Sequence, residues 1–73
     1  MIQKDVLKIL DRYTPAKYIT SSVGTTTLYQ YPNLSVVRTQ VAGKDFYCAT
    51  YKGHRLQEED AKKLYRSISN DHN

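Results

Sequence analysis

LSVVRTQVAGKDFYCATY, at residues 34–51, has the composition of two β-strands joined by a turn. β-Branched and aromatic residues are frequent on both sides of Ala42-Gly43-Lys44, and glycine is a typical turn residue. This pattern predicts a strand over Leu34–Val41 and a second, antiparallel strand over Asp45–Tyr51.

The segment before this hairpin is similarly rich in β-branched and aromatic residues. It predicts strands over Lys17–Val23 and Thr26–Tyr31, separated by a turn at Gly24. Pro32-Asn33 ends the second strand, because this dipeptide suits the middle of a β-turn. A long ordered loop is the alternative for Thr26–Tyr31.

Both ends of the chain have helical periodicity. Apolar residues recur at helical spacing from Ile2 to Tyr13, and Thr14-Pro15 ends this helix because the residue before proline avoids the helical region. A second amphipathic pattern predicts a helix from about Gln57 to Ser69, followed by a frayed tail over Asn70–Asn73.

Together these elements predict one α+β domain over residues 1–73. Three to four antiparallel strands form the sheet, and the N-terminal and C-terminal helices cover one of its faces. The predicted core consists of Val6, Ile9, Leu10, Val36, Phe46, Ala61, Leu64 and Ile68.

Strand alternation separates two sets of side chains in this sheet. If Phe46, Cys48 and Leu28 point at the helices, four tyrosines share the face exposed to solvent. These are Tyr29, Tyr31, Tyr47 and Tyr51.

The chain is mildly basic, with eleven Lys and Arg against seven Asp and Glu and a formal net charge of +4. This balance permits nucleic acid or an acidic protein as a partner without requiring either. A small core in a chain of 73 residues also leaves a homodimer open.

No residue pattern indicates catalysis, a metal or a cofactor. Cys48 lies in a predicted strand on the core side, where a free cysteine behaves as a small hydrophobe. His54 has no acidic or amide residue placed to orient it, and Glu58-Glu59-Asp60 is explained by the dipole at the start of a helix. We therefore expect a binding protein rather than an enzyme.

The sequence also predicts a cytoplasmic protein without a membrane span. It has neither a secretory signal pattern nor an apolar run of about 20 residues. The single cysteine is typical of a reducing compartment.

Two binding hypotheses follow. A basic loop and a helix face could contact nucleic acid, RNA or DNA, through phosphates; the candidate residues are Lys52, His54, Arg55, Lys62, Lys63 and Arg66. The alternative is a protein-interaction or dimerisation module that uses the tyrosine face, as in a small adaptor or inhibitor or an accessory protein of the phage or plasmid type.

Several short motifs resemble the double-stranded RNA-binding domain. They are Pro15-Ala16-Lys17-Tyr18 with Gly24, the segment from Leu34 to Lys44, and Ala61-Lys62. The resemblance implies an α-β-β-β-α fold and RNA binding at the start of the second helix. Glu58 and Glu59 stand where that family has two consecutive lysines, and family members without these basic residues tend to mediate protein interaction or dimerisation.

Overall fold

A computed structural model of the chain describes residues 2–71. These residues form two helices and five strands in the order α1–β1–β2–β3–β4–β5–α2. The elements are α1 Lys4–Arg12, β1 Ala16–Ser21, β2 Thr25–Tyr31, β3 Leu34–Val41, β4 Lys44–Tyr51, β5 His54–Arg55 and α2 Glu58–Asp71.

The strands form a single antiparallel sheet in which each strand lies beside its neighbours in sequence. The predicted α+β class, with an antiparallel sheet and a helix at each end, is confirmed. Residues 25–31 form a strand rather than a loop. The last helix continues to Asp71, beyond the predicted end, and residues 72–73 of the predicted tail lie outside the described part of the chain.

One strand more than the predicted three to four is present. Lys52 and Gly53 form a two-residue turn with φ values of 50° and 80°. Positive φ at both positions is the requirement of a type I′ turn, whose twist matches antiparallel strands. The segment over residues 52–55, predicted above as a basic loop, therefore turns back on β4, and His54 and Arg55 pair with Tyr51 and Thr50.

Strand register decides which side chains face the helices, because directly paired residues point to the same side of a sheet. Val36 pairs with Tyr29 on one side and Ala49 on the other, and Leu34 pairs with Tyr31. This side, the helix face, holds all the buried strand residues described. The core cluster consists of Val6, Tyr29, Tyr31, Leu34, Val36, Ala49, Ala61, Leu64, Tyr65 and Ile68.

The prediction for Phe46 is wrong, since its side chain is 51% exposed on the opposite side of the sheet. Leu28 and Cys48 share that side and are half-buried. The physical reason is register: β4 pairs Val36 with Ala49, so Phe46 and Val36 point in opposite directions. Five of the eight predicted core residues are buried, and Ile9 and Leu10 pack at the margin.

Candidate functional site

The predicted tyrosine face is not exposed. Tyr29 and Tyr31 are 3% exposed on the helix face, and Tyr47 and Tyr51 pack against the core beside them. Tyr65 of α2 explains this arrangement: its ring centroid lies 5.4 Å from that of Tyr29 and 5.7 Å from that of Tyr47. Tilted and edge-on aromatic pairs at these separations are favourable, so these rings form the contact between helix and sheet.

Arg38 lies at the edge of this aromatic contact and interacts with both Tyr65 and Asp45. Its guanidinium carbon lies 5.8 Å from the centroid of the Tyr65 ring, and Nη2 donates to both carboxylate oxygens of Asp45 at 3.2 Å. Side-chain hydrogen bonding to Tyr65 first, and to Asp45 second, raises the pKa of the Arg38 guanidinium. Through these contacts Arg38 links β3 with β4 and α2 at the border of the core.

The predicted basic residues do not form one continuous stripe. Nζ of Lys62 lies 6.0 Å from the ring centroid of Tyr47, whereas Nζ of Lys52 lies 5.4 Å from that of Tyr51. Tyr47 and Tyr51 are four residues apart in β4, which corresponds to about 13 Å. Lys52 and Lys62 thus belong to opposite ends of the sheet.

Carboxylates interrupt the basic surface of α2. A shallow cleft of about 260 Å³ at the start of this helix is lined by Lys62 together with Asp45, Tyr47, Glu58 and Glu59. Three acidic side chains surround one lysine there, so this end of the helix is poorly suited to a phosphate.

The remaining predicted binding residues lie on different sides of the molecule. Lys63 and Arg66 are exposed on α2, where Glu59 shares their outward side at helical spacing. His54 is exposed and shares the helix face with its partner Tyr51. Arg55 is exposed and lies on the other side of the sheet, paired with Thr50.

That other side, which we call the open face, is a surface of three rows across the strands. The first row is Ala16, Gln30, Ser35, Thr50 and Arg55; the second is Tyr18, Leu28, Val37 and Cys48; the third is Thr20, Thr26, Thr39 and Phe46. Val41 and Lys44 extend it at the turn between β3 and β4. None of these side chains is buried, so within residues 2–71 no element covers the open face.

Two exposed aromatic rings stand at opposite borders of the open face. Tyr18 on β1 is 57% exposed and Phe46 on β4 is 51% exposed. Three strand spacings of about 4.8 Å and an offset of two residues separate them by about 16 Å. Neutral side chains occupy the space between the rings, among them the hydroxyls of Thr20, Thr26 and Thr39.

The open face carries no acidic residue. The acids whose side chains the structure describes lie in the two helices or, for Asp45, on the helix face of β4. Lys44 and Arg55 are the charged residues of the open face, one near each end of β4, and both are exposed. The face is thus neutral to positive, and the acidic side chains that the structure describes are on the opposite side.

Hydrogen bonds hold the side chains of Gln30 and Ser35 in the first row of the open face. Oγ of Ser35 donates to Oε1 of Gln30 at 2.8 Å, and Nε2 of Gln30 donates to the carbonyl oxygens of Tyr31 at 2.8 Å and Leu34 at 3.3 Å. Gln30 thereby closes the turn at Pro32-Asn33, and this border of the face is preorganised.

Sequence reasoning missed Tyr18 and Phe46 as surface residues. Turn length could have shown that Phe46 and Val36 do not both belong to the core, but it does not say which of the two is buried. Two-residue turns at Pro32-Asn33 and Ala42-Gly43 fix the register of β2, β3 and β4, and that register places Phe46 on the same side as Leu28 and Val37 but opposite Val36.

The described residues 2–71 show neither a metal-binding cluster nor a membrane-spanning helix. No three His, Cys, Asp or Glu side chains in this range are grouped as a metal site. Neither helix is long and apolar enough to cross a bilayer.

Comparisons of the chain with protein-family models, curated proteins and solved structures returned no match. The layout of two terminal helices and an antiparallel sheet is compatible with the double-stranded RNA-binding domain, although the sheet here has additional strands. The similarity to that family is therefore one of layout.

Proposed function

We propose that this protein is a non-enzymatic binding module whose open face binds single-stranded nucleic acid. The observation that carries the proposal is the composition of this face, which combines two exposed aromatic rings, a row of threonines and two cations without any carboxylate. Positively charged surfaces with aromatic side chains are the common solution for unpaired strands, because every base has a π-face that can stack.

The shape of the surface favours a single strand over a duplex. A groove of duplex DNA is entered by a helix or a two-stranded ribbon, and both helices of this protein lie on the other side of the sheet. Bases that are not paired can lie flat on an open sheet and stack on its aromatic residues. Phe46 and Tyr18 would each contribute about 1–3 kcal/mol in this way.

The cations set the expected salt dependence. Lys44 and Arg55 are at the two ends of β4, so a strand lying across Phe46 could place a phosphate near each of them. Two phosphate contacts correspond to a slope of about −1.4 in log K against log[salt] for a single strand. Affinity should therefore be modest and should fall about sevenfold between about 50 and 200 mM salt, far less than for a protein with many phosphate contacts.

A fluorescence anisotropy titration with single-stranded DNA and RNA oligonucleotides, and with duplexes of the same sequences, tests the proposal. Single strands should bind more tightly than duplexes, Phe46→Ala should weaken binding at least ~5-fold, and Lys44→Gln should reduce the salt slope by about half. Lys63→Gln is the matched control, since Lys63 is an exposed lysine on α2.

Two results would contradict the proposal. One is binding that depends on Lys63 and is unaffected by Phe46→Ala, which would assign nucleic acid to the helix surface. The other is the absence of binding to any single strand at low salt.

A second candidate function is protein binding through the same face. The row Tyr18, Leu28, Val37 and Cys48 is apolar across four strands, and contiguous exposed apolar patches mark interaction sites. A protein partner would depend on Leu28 and Val37 and would be insensitive to Lys44→Gln, whereas a nucleic acid requires the cation.

A further inference from the structure

The strand β1 forms an open edge of the sheet. It pairs with β2 on one side, and no other described strand lies beside it. All six of its residues are exposed, and Ile19 is 60% exposed although it is on the helix face. An edge of this kind presents unpaired backbone N–H and C=O groups to any strand that approaches.

The opposite edge of the sheet is protected. β5 pairs with the end of β4, and the Leu56 amide donates to the Ala49 carbonyl at 2.9 Å. Lys44 and Asp45 occupy the other end of β4, and charged residues are a common device against edge pairing. β1 has one charged residue, Lys17, whose Nζ lies 5.6 Å from the ring centroid of Tyr29 and so leans inward over the sheet.

We infer that two copies of this chain pair through their β1 strands in an antiparallel, two-fold arrangement. The asymmetry between the two edges argues for this partner. A head-to-tail contact would require β1 to dock on the edge of β4, where β5 and the charged residues stand in the way. Pairing of β1 with itself uses only open edges, and an isologous contact closes after two copies.

The sequence of β1 is compatible with pairing to itself. A two-fold axis perpendicular to the sheet keeps the helices of both copies on one side, so each residue must oppose one of the same parity. Centred on Tyr18, the pairing places Lys17 opposite Ile19 of the second copy, and Ala16 opposite Thr20. Centred on Ile19, it places Lys17 opposite Ser21 and Tyr18 opposite Thr20. In neither register do like charges meet across the seam.

The dimer would join two five-stranded sheets into one of ten strands. Both open faces would then be on the same side, with the two Tyr18 rings near the centre and a Phe46 ring on either side of them. The inference itself depends on the edge alone and stands whether the open face binds nucleic acid or protein.

Sedimentation equilibrium of the full chain over a range of concentrations tests the inference. The wild type should show a monomer–dimer equilibrium, and Ile19→Lys should weaken the dimer at least about tenfold, because in either register the change places lysines of the two copies opposite each other. Val23→Lys is the matched control: Val23 is 83% exposed in the turn after β1, so the same chemical change is made outside the strand.

Amide hydrogen exchange provides a second measurement on the same proteins. The outward-pointing amides of β1 should become protected as wild-type protein concentration rises, and Ile19→Lys should abolish this protection while circular dichroism shows an unchanged fold. A wild type that remains monomeric up to millimolar concentration would overturn the inference. A dimer that survives Ile19→Lys and is lost with Phe46→Lys would also overturn it, in favour of stacking between open faces.

Discussion

Gly24, in the turn between β1 and β2, is the position where a single added carbon should damage the fold most. Its φ is 103°, and a Cβ built there would collide with the carbonyl oxygen of Gln40 and lie 2.9 Å from Cγ2 of Val41. The neighbouring atoms belong mainly to the backbone of β3, which cannot rotate away as a long side chain could. Gly24→Ala should therefore force the end of β3 to move.

The expected loss of unfolding free energy in Gly24→Ala can be estimated by comparison with Gly43. Gly43 also has a positive φ, 77°, but a Cβ there would meet nothing within 4 Å. Gly43→Ala should cost about 1–2 kcal/mol of unfolding free energy for the backbone conformation alone. Gly24→Ala adds a steric term of about 1–3 kcal/mol, the usual range for forced overpacking, and a domain of this size has only ~3–5 kcal/mol in total.

Urea denaturation and thermal unfolding, both followed by circular dichroism, measure this difference. Gly43→Ala should lower Tm by about 5–15 °C, since a domain of this length loses ~4–8 °C per kcal/mol. Gly24→Ala should lower it considerably further or leave the chain largely unfolded at 25 °C. If the two variants had equal stability, the close approach of the β1–β2 turn to β3 would be refuted.

Three further predictions concern the faces and turns of the sheet. Ala42→Asn should raise the unfolding free energy by about 0.5–1 kcal/mol in urea denaturation, because Ala42 has a φ of 51° at a type I′ position that favours asparagine; a loss of stability would contradict the turn assignment. Tyr29→Ala should leave the chain largely unfolded without urea, because truncating a buried aromatic residue costs about 3–5 kcal/mol, as much as the whole stability of a domain of this size. Phe46→Ala should cost about 1 kcal/mol or less, and equal losses would contradict the assignment of the two faces. Cys48 is half-buried on the open face, so a maleimide reagent should label it in the native protein. A bound single-stranded oligonucleotide should slow this labelling. If it protects Cys48 no more than a non-binding duplex does, the ligand does not lie on that face.

Both helices and the four longer strands of this protein could be predicted from local sequence, whereas β5 was missed because its two residues carry no periodic pattern. The apolar spacing that includes Val6 in the first helix and Ala61, Leu64 and Ile68 in the second corresponds to the buried sides of α1 and α2. Each of these patterns extends over several turns, so single exceptions such as the exposed Leu7 do not obscure it.

The faces of the sheet could not be predicted in the same way. Alternation divides β4 into two sets of nearly equal hydrophobicity, Phe46 with Cys48 and Tyr47 with Ala49, and does not say which set is buried. The outcome depends on Tyr65 of α2, whose ring packs between Tyr29 and Tyr47. That contact is long-range, and nothing in the local sequence of β4 encodes it.

The same difficulty affected the prediction of the binding surface. Tyrosines were expected at the surface because they are amphipathic, and the basic residues of α2 were expected to act together because they are close in sequence. Lys62 is instead in a cleft with Glu58 and Glu59. Arg55 was predicted among the binding residues and does lie on the open face, but because β5 turns it there, which a connecting loop would not have done.

Methyl NMR of the protein during titration with a single-stranded oligonucleotide tests the central claim most directly. Leu28 and Leu34, and likewise Val37 and Val36, are pairs of the same residue type on opposite faces of the sheet. Binding to the open face predicts that the methyl signals of Leu28 and Val37 shift while those of Leu34 and Val36 remain in place. Unchanged Leu28 and Val37 signals at saturating oligonucleotide, with perturbations confined to α2, would contradict the account.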